Sequence, residues 1–285
     1  MDLTNDPSAL SSWIGRTEGS TDVIRPQTAD HLTKTLDLDV GPLMGDRLPP
    51  LWHFCYFLEA SALSELGRDG HSLKGGFLPP VELPRRMWAG GRFTFHGDLR
   101  VGDEVERIAT VTNISHKDGA SGPLIFVTIS YDYTVDGALQ MTEEKDLVYR
   151  ADPAPNAPAP KPQSAPTDGS WETRVEPDAV MLFRYSALTF NSNRIHYDRD
   201  YARDIEGYDG LVVHGPLTST LLAGLAEEKE SLPLKTFSFR GVAPLFDQPF
   251  IIDGKETPEG ADLWARTPDG AIAMTANATF STAAQ

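Results

Sequence analysis

Apolar and polar residues alternate along two separate stretches of the chain, and this pattern predicts two sets of β-strands. A period of two is typical of a strand with one buried face. The predicted strands cover residues 93–101, 105–114, 124–135 and 138–149 in the first set, and 234–242, 249–255, 261–268 and 271–280 in the second. Asp136–Gly137 and Asp269–Gly270 precede the last strand of each set. Because Asp-Gly favours a tight hairpin turn, both sets are predicted to be antiparallel.

A long apolar helix is predicted before the strands of each set. Residues 51–67 are apolar on nearly all sides and end at Gly67, a suitable C-cap. Residues 216–230 carry proline in their first turn and are apolar through Leu225. A buried helix followed by a curled antiparallel sheet is an α+β arrangement.

The two sets also resemble each other in sequence, which indicates an internal repeat. Phe93 matches Phe237 at an offset of 144 residues, and residues 136–142 match 269–275 in the same order. Between the two sets, residues 151–170 are rich in proline and predict a semi-rigid linker. The predicted organisation is therefore an N-terminal half (1–150), the linker (151–170) and a C-terminal half (171–285).

The amino-acid composition limits the kinds of binding partner and the cellular compartment that we expect for this protein. Of 285 residues, 40% are hydrophobic and 23% are charged, as in ordinary globular proteins. The net charge of −16 argues against nucleic acid or an anionic membrane as a partner. Cys55 is the single cysteine, so an intrachain disulfide is excluded. Since the N-terminus is acidic and no apolar run is long enough to span a bilayer, we expect a cytoplasmic protein.

The residues best suited to chemistry lie between 184 and 216. Helical apolar spacing follows Asp178, and a second, short helix should begin at Asp198, the expected N-cap. His196 lies in the polar loop between these two helices. His214–Gly215–Pro216 then opens the long helix, where unpaired amides and the helix dipole favour negative charge. The Gly215 N–H is thus a candidate donor to an enolate oxygen, although a simple tight turn and a structural histidine remain alternatives.

The sequence N-S-N-R-I-H at 191–196 resembles the D-x-N-P-[LIV]-H signature of MaoC-like (R)-specific enoyl-CoA hydratases. That resemblance implies an α+β double hot-dog fold, in which each of two tandem repeats wraps an antiparallel sheet around a long helix. It also implies that His196 and Asn191 hold the water, and that Gly215, after His214, binds the thioester oxygen. Asn191 replaces the usual aspartate, and Arg194 replaces proline. Because an amide cannot accept a proton as a carboxylate does, His196 would carry the proton transfer.

The longer pattern S-A-L-T-F-N-x-x-R-I-H-Y-D resembles a two-domain sub-branch of FAS1-like, mesaconyl-type acyl-CoA hydratases. Residues 83–107 resemble the other hallmark block of that sub-branch. The resemblance implies C5 dicarboxylic thioesters as substrates, such as 3-methylfumaryl-CoA or itaconyl-CoA. The first half contains no D/N-x-N-x-x-H motif, so it is predicted to be catalytically degenerate and to shape the acyl pocket.

Several residues are candidates for binding an anionic acyl-CoA. Arginine pairs with carboxylate or phosphate through two parallel hydrogen bonds, and glycine allows close approach to the backbone. The predicted substrate-binding residues are Arg86, Trp88, Gly90, Asn193, Arg194 and His214, and Arg85 and Arg92 flank the same block.

The sequence therefore predicts a hydro-lyase that hydrates an enoyl-CoA. A hot-dog thioesterase is one alternative, with Glu59 as its candidate acid, although the second predicted helix carries no acid before Glu227, near its far end, which counts against it. A non-catalytic acyl-CoA-binding protein is another alternative. No metal or organic cofactor is expected beyond the CoA of the substrate. The chain could act as a monomer or as a homodimer.

Overall fold

Ten strands and four helices make up the protein in the computed structural model, which describes residues 10–119, 122–152 and 161–281. The strands are β1 (Thr17–Val23), β2 (Arg85–Phe95), β3 (Glu104–Gly119), β4 (Gly122–Val135), β5 (Ala138–Arg150), β6 (Trp171–Val175), β7 (Leu234–Gly241), β8 (Phe250–Thr257), β9 (Gly260–Arg266) and β10 (Ile272–Phe280). The helices are α1 (Pro26–Thr35), α2 (Ala179–Leu188), α3 (Arg199–Asp204) and α4 (Gly215–Glu230). Seven of the eight predicted strands are confirmed, and the edge strands β1 and β6 are additional. The strand predicted for 93–101 is placed too late in the sequence, since β2 runs from Arg85 to Phe95 and residues 96–101 form a loop.

All ten strands form one antiparallel sheet with the order β1-β3-β4-β5-β2-β7-β10-β9-β8-β6. Read outward from the centre, both halves follow the same path, since β2-β5-β4-β3-β1 corresponds to β7-β10-β9-β8-β6. At the central junction Phe93 pairs directly with Phe237. These are the two residues that the repeat offset of 144 matches, so a local twofold axis passes between them. The predicted repeat is confirmed.

The hairpins follow the Asp-Gly signals. Asp136 and Gly137 both have positive φ, 49° and 77°, as a two-residue turn between twisted strands requires. Gly270 has a φ of 92° in the β9–β10 connection. Of the predicted linker, residues 153–160 lie outside the described residues. Its last part lies against the second half, where Ser164 pairs with Ala271. The exact division into halves and linker stays a prediction.

Three helices begin where the sequence indicates. The Asp178 carboxylate accepts the Met181 N–H at 2.7 Å, and the Asp198 carboxylate accepts the Tyr201 N–H at 3.0 Å. Both aspartates are therefore N-caps, of α2 and α3 respectively. Helix α4 is apolar and buried along most of its length, and it packs against β7 to β10. Of the helices that the structure describes, none is long and apolar enough to cross a membrane.

The long helix predicted for residues 51–67 is wrong. This segment contains only two short 3₁₀ turns, Trp52–Cys55 and Leu63–Glu65. Leu51 and Phe57 have φ values of 65° and 54°, which no right-handed helix contains. The apolar run is still buried, but an apolar run alone does not distinguish a helix from irregular chain. Its aromatic residues are also weak helix formers.

Candidate active site

Two asparagines shape the loop that carries His196. After α2, the Asn191 side-chain oxygen accepts the Asn193 N–H at 3.0 Å. The Asn193 side chain in turn caps a 3₁₀ turn over Arg194–His196 by accepting the Ile195 N–H at 3.4 Å. Such local bonds are the usual reason that asparagine favours turns over helices. Both asparagines thus stabilise the loop through their side chains. The contacts with water and substrate that the sequence predicts for Asn191 and Asn193 stay predictions.

His196 is buried and held in one tautomer. Its Nδ1 lies 2.6 Å from the Val212 carbonyl oxygen. Because a carbonyl only accepts, Nδ1 carries the hydrogen, and Nε2 retains its lone pair. Burial lowers the pKa of His196 to about 4, and the charge of His71 lowers it further. The hydrogen bond to Val212 raises the pKa but does not offset the effect of burial. The ring is therefore neutral near pH 7, and Nε2 can accept a proton.

His214 supports the ring of His196 from behind. The two imidazoles stack with centroids 3.7 Å apart and planes 17° apart. His214 is only 1% exposed, and its Nε2 lies 2.8 Å from the Ser186 hydroxyl. Burial holds the pKa of His214 well below its ordinary value, and His196 adds to this. His214 therefore offers little side-chain surface to a substrate, and its stacking fixes the orientation of His196.

The N-terminus of α4 lies three residues after the carbonyl that orients His196. Gly215 is the first residue of α4 and is followed by Pro216. First-turn amides have no acceptor within their own helix. A Cβ at Gly215 would meet no heavy atom within 4 Å, so open space lies beside this backbone. The short segment 212–215 therefore connects the two parts of the site. Its first residue binds the His196 ring through a carbonyl, and its last residue begins α4.

A loop from the first half, residues 67–72, packs against the His196 loop. The Arg194 N–H donates to the Asp69 carbonyl at 2.8 Å, and the Ser192 hydroxyl donates to the Gly70 carbonyl at 2.6 Å. Within the loop, His71 Nδ1 lies 3.0 Å from an Asp69 carboxylate oxygen. No sequence pattern links this loop to the His196 loop. The two lie more than 120 residues apart along the chain, and residues 67–72 contain none of the motifs that identify the second-half site.

Most of the candidate arginines already have carboxylate partners. Arg85 pairs with Asp152 and Glu206, Arg92 with Glu144 and Asp146, and Arg194 with Asp198. The Arg194 guanidinium also lies 4.1 Å from the centre of the Tyr201 ring. Within the described residues, Arg86 forms no ion pair. The geometry therefore favours Arg86 over Arg194 as a ligand for a substrate anion.

Trp88 and Gly90 belong to the sheet itself. A Cβ at Gly90 would lie 2.6 Å from the Phe239 carbonyl oxygen, so the neighbouring strand β7 fills the space there. The prediction that Gly90 leaves room for a ligand is wrong, since glycine here allows two strands to approach. Trp88 donates its indole N–H to the Gly90 carbonyl at 2.7 Å, and Lys145 lies 4.1 Å above the indole ring. Trp88 thus forms a wall of the first-half interior, as the sequence suggests.

Comparison with known proteins adds independent information. The family model "Hydroxyacyl-thioester dehydratase type 2" matches residues 51–247. The chain is 48% identical over 268 residues to a protein of Chloroflexus aurantiacus named mesaconyl-C(4)-CoA hydratase, covering 93% of this chain and 95% of that protein. The structure is similar to crystalline HtdX from Mycobacterium tuberculosis, with a TM-score of 0.66, 17% identity, and coverage of 93% and 99%.

A second Mycobacterium tuberculosis protein, described as having a double hot-dog fold, matches with a TM-score of 0.55 at 13% identity. That match covers 93% of this chain and 96% of the other. The α+β double hot-dog fold is therefore confirmed, with one long central helix in the described residues in place of the expected two.

Proposed function

Because the chain belongs to the hydroxyacyl-thioester dehydratase type 2 family, we propose that it adds water reversibly to a C5 dicarboxylic enoyl-CoA. Membership of the family makes the protein an enoyl-CoA hydratase or hydroxyacyl-thioester dehydratase. The proposed substrates are 3-methylfumaryl-CoA or itaconyl-CoA, and the product is citramalyl-CoA. The 48% identity to a mesaconyl-C(4)-CoA hydratase supports this acyl group. The observation that carries the mechanism is the buried, neutral His196 beside the N-terminus of α4.

In the hydration of 3-methylfumaryl-CoA, His196 Nε2 removes a proton from water as the water oxygen bonds to the β-carbon. The electrons of the double bond move towards the α-carbon and the thioester oxygen, which gains negative charge. The Gly215 N–H donates to that oxygen, aided by the dipole of α4. The protonated His196 then delivers its proton to the α-carbon, which completes the addition and restores the neutral ring.

Asn191 plays a limited part in this scheme. Its side-chain oxygen already accepts the Asn193 N–H, which leaves its NH₂ group as the donor that can hold the water oxygen. An amide donor can orient the water oxygen but cannot take its proton. His196 therefore acts as base and acid in turn.

The thioesterase alternative requires an activating acid, and neither the candidate Glu59 nor the first acid of α4, Glu227, is well placed for that role. The Glu59 side chain is 74% exposed and lies in irregular chain. Glu227, near the far end of α4, accepts two hydrogen bonds from Arg47, at 2.7 and 2.8 Å, and one from the Leu234 amide. Both arrangements favour a hydratase.

The proposal is tested with His196→Gln, which removes the base and retains a polar side chain of similar size. Loss of enoyl-thioester absorbance is followed with 3-methylfumaryl-CoA and crotonyl-CoA. Because the double bond of itaconyl-CoA is not conjugated to its thioester, conversion of that substrate is followed by chromatography, and a thiol reagent is used in parallel with all three. We expect kcat to fall by about 10²- to 10⁴-fold, because a general acid–base group contributes that factor. The matched control is His31→Gln, an exposed histidine on α1, which should retain wild-type kcat.

Near-full activity of His196→Gln would contradict the proposed base. Release of thiol by the wild type would establish a thioesterase instead. Tight binding of all three thioesters by the wild type, without any turnover, would identify a non-catalytic acyl-CoA-binding protein.

A further inference from the structure

Charged side chains line the inner face of β2 and β5, where an apolar helix was expected. The register pairs Arg86 with Tyr149 and Gly91 with Lys145. Since alternate residues share a face, Arg86, Tyr149 and Lys145 all lie on the face that carries the buried Phe93. In the first half, the described residues that cover this face are irregular chain, so polar groups can be accommodated.

Arg86 and Lys145 form no ion pair with any residue that the structure describes. The carboxylate on the same face, Glu143, is already engaged, since it lies 3.2 Å from His53 and accepts the Tyr133 hydroxyl at 2.8 Å. Burial lowers the pKa of Lys145, and the charge of Arg86 contributes to this. Two part-buried positive charges thus lie on one sheet face of a chain with a net charge of −16, and Lys145 also lies over the Trp88 ring. Because neither cation has a carboxylate partner among the described residues, this region is suited to an anion.

The Tyr149 hydroxyl is a second, independent sign of a ligand. Tyr149 is 0% exposed, and in the part of the chain that the structure describes its hydroxyl has no hydrogen-bond partner. Burial raises the pKa of the phenol, and the nearby Arg86 opposes the rise through its charge and as a donor towards the phenol oxygen. Because a guanidinium only donates, the phenol O–H still lacks an acceptor. Buried hydroxyls nearly always find a partner, so this one is available to donate to a bound anion.

The Arg86 end of this group lies near the first-half loop that packs against the His196 loop. Burial alone would raise the pKa of Asp69, but His71 and, more weakly, Arg86 lower it to about 2. Arg86 is therefore within electrostatic reach of Asp69, whose carbonyl accepts the Arg194 N–H two residues before His196. In 3-methylfumaryl-CoA the distal carboxylate is attached to the carbon that water attacks. A subsite for this carboxylate must therefore lie beside the base.

We propose that Arg86, Lys145 and the Tyr149 hydroxyl form a subsite for the distal carboxylate of the acyl group. The inference rests on the proposed function, because that function supplies the acyl-CoA ligand. Arg86 provides two N–H donors, Lys145 a second positive charge, and Tyr149 one O–H donor. A phosphate group of CoA has similar chemistry, so the test must separate the two sources.

Binding of two saturated thioesters provides that test. Succinyl-CoA and butyryl-CoA differ only in ending with a carboxylate or a methyl group, and neither can be hydrated. Their dissociation constants are measured by calorimetry, and the ratio of the two is compared between variants. We expect the wild type to prefer succinyl-CoA, and Arg86→Gln to reduce that preference by about 30-fold or more, as for truncation of a buried charge pair. Tyr149→Phe should reduce it by about 10-fold, as for a hydrogen bond to a charged group.

The matched control is Arg92→Gln, on the same strand but on the outer face, where Arg92 pairs with Asp146. Its preference for succinyl-CoA should equal that of the wild type. Equal weakening of both thioesters by Arg86→Gln would assign Arg86 to a CoA phosphate and overturn the subsite. A wild type without preference would also overturn it, while leaving the hydratase proposal intact. If neither thioester binds the folded wild type, the proposed function fails as well. If Arg86→Gln fails to fold, Tyr149→Phe tests the subsite through the same ratio of dissociation constants.

Discussion

Lowering the pH from 6.5 to 4 should reduce the free energy of unfolding by about 3 kcal/mol through His196 alone. The ordinary pKa of histidine is 6.5, and burial lowers the pKa of His196 to about 4. Between these values the unfolded chain binds a proton at this residue and the folded chain does not. Stability therefore rises with pH across this window. The penalty is small above pH 6.5, grows to about 3 kcal/mol at pH 4 and reaches its full value only below pH 4. A shift of 2.5 units corresponds to about 3.4 kcal/mol at 1.36 kcal/mol per unit.

Urea unfolding at pH 7, 6, 5 and 4 measures this effect by comparing the wild type with His196→Asn. The variant lacks the titrating group, so the wild type should lose about 3 kcal/mol relative to it between pH 7 and 4. Groups remote from His196 titrate alike in both proteins and cancel in the difference. The stacked His214, whose pKa is lowered by burial and further by His196, adds to the loss of the wild type in the same direction. The matched control is Ile195→Val, a neighbouring change without a titratable group, whose difference from the wild type should not vary with pH. A constant difference between wild type and His196→Asn would refute the reasoning, because His196 would then titrate alike in the folded and unfolded chains.

Two further predictions concern the loops around His196. Asn191→Asp should retain appreciable kcat/KM in the hydration assay, because a carboxylate can still accept the Asn193 N–H; complete loss of activity would show that the amide donor is essential. Gly70→Ala should lower both the melting temperature and kcat/KM, because Gly70 has a φ of 88° and a Cβ there would lie within van der Waals overlap of the Ser192 carbonyl oxygen. Unchanged values for both quantities would mean that the first-half loop does not position the His196 loop.

Much of the secondary structure could be predicted from the sequence, because its signals are local. The alternation of 124–135 and 138–149, with Asp136–Gly137 between them, specifies a hairpin without reference to the rest of the chain. Asp178 and Asp198 likewise specify helix starts. Residues 51–67 lack such a local signal. Their burial is decided by the sheet around them, and burial is compatible with irregular chain as well as with a helix.

The candidate site likewise contains residues that local sequence motifs identify and residues that only the fold brings together. His196 and Gly215 each stand in a short motif, at 191–196 and 214–216, so the sequence identifies them, and their roles stay predictions. The loop at Asp69 and His71 could not be found, since only the fold brings it to Arg194. The partners of Arg194 and the close strand contact at Gly90 also depend on neighbours that the sequence does not reveal.

The pairing of Phe93 with Phe237 across the centre of the sheet has a consequence for how such a protein can change. Two separate, identical subunits joined in this way would carry every substitution twice, once on each side of the axis. In a single chain the two sides mutate independently. One side can then keep the long helix α4, while the other covers its sheet with irregular chain and carries arginine, lysine and tyrosine on the inner face. Such asymmetry is closed to a pair of identical subunits and open to a fused pair, and under the proposed function it lets selectivity for the acyl group evolve without disturbing His196.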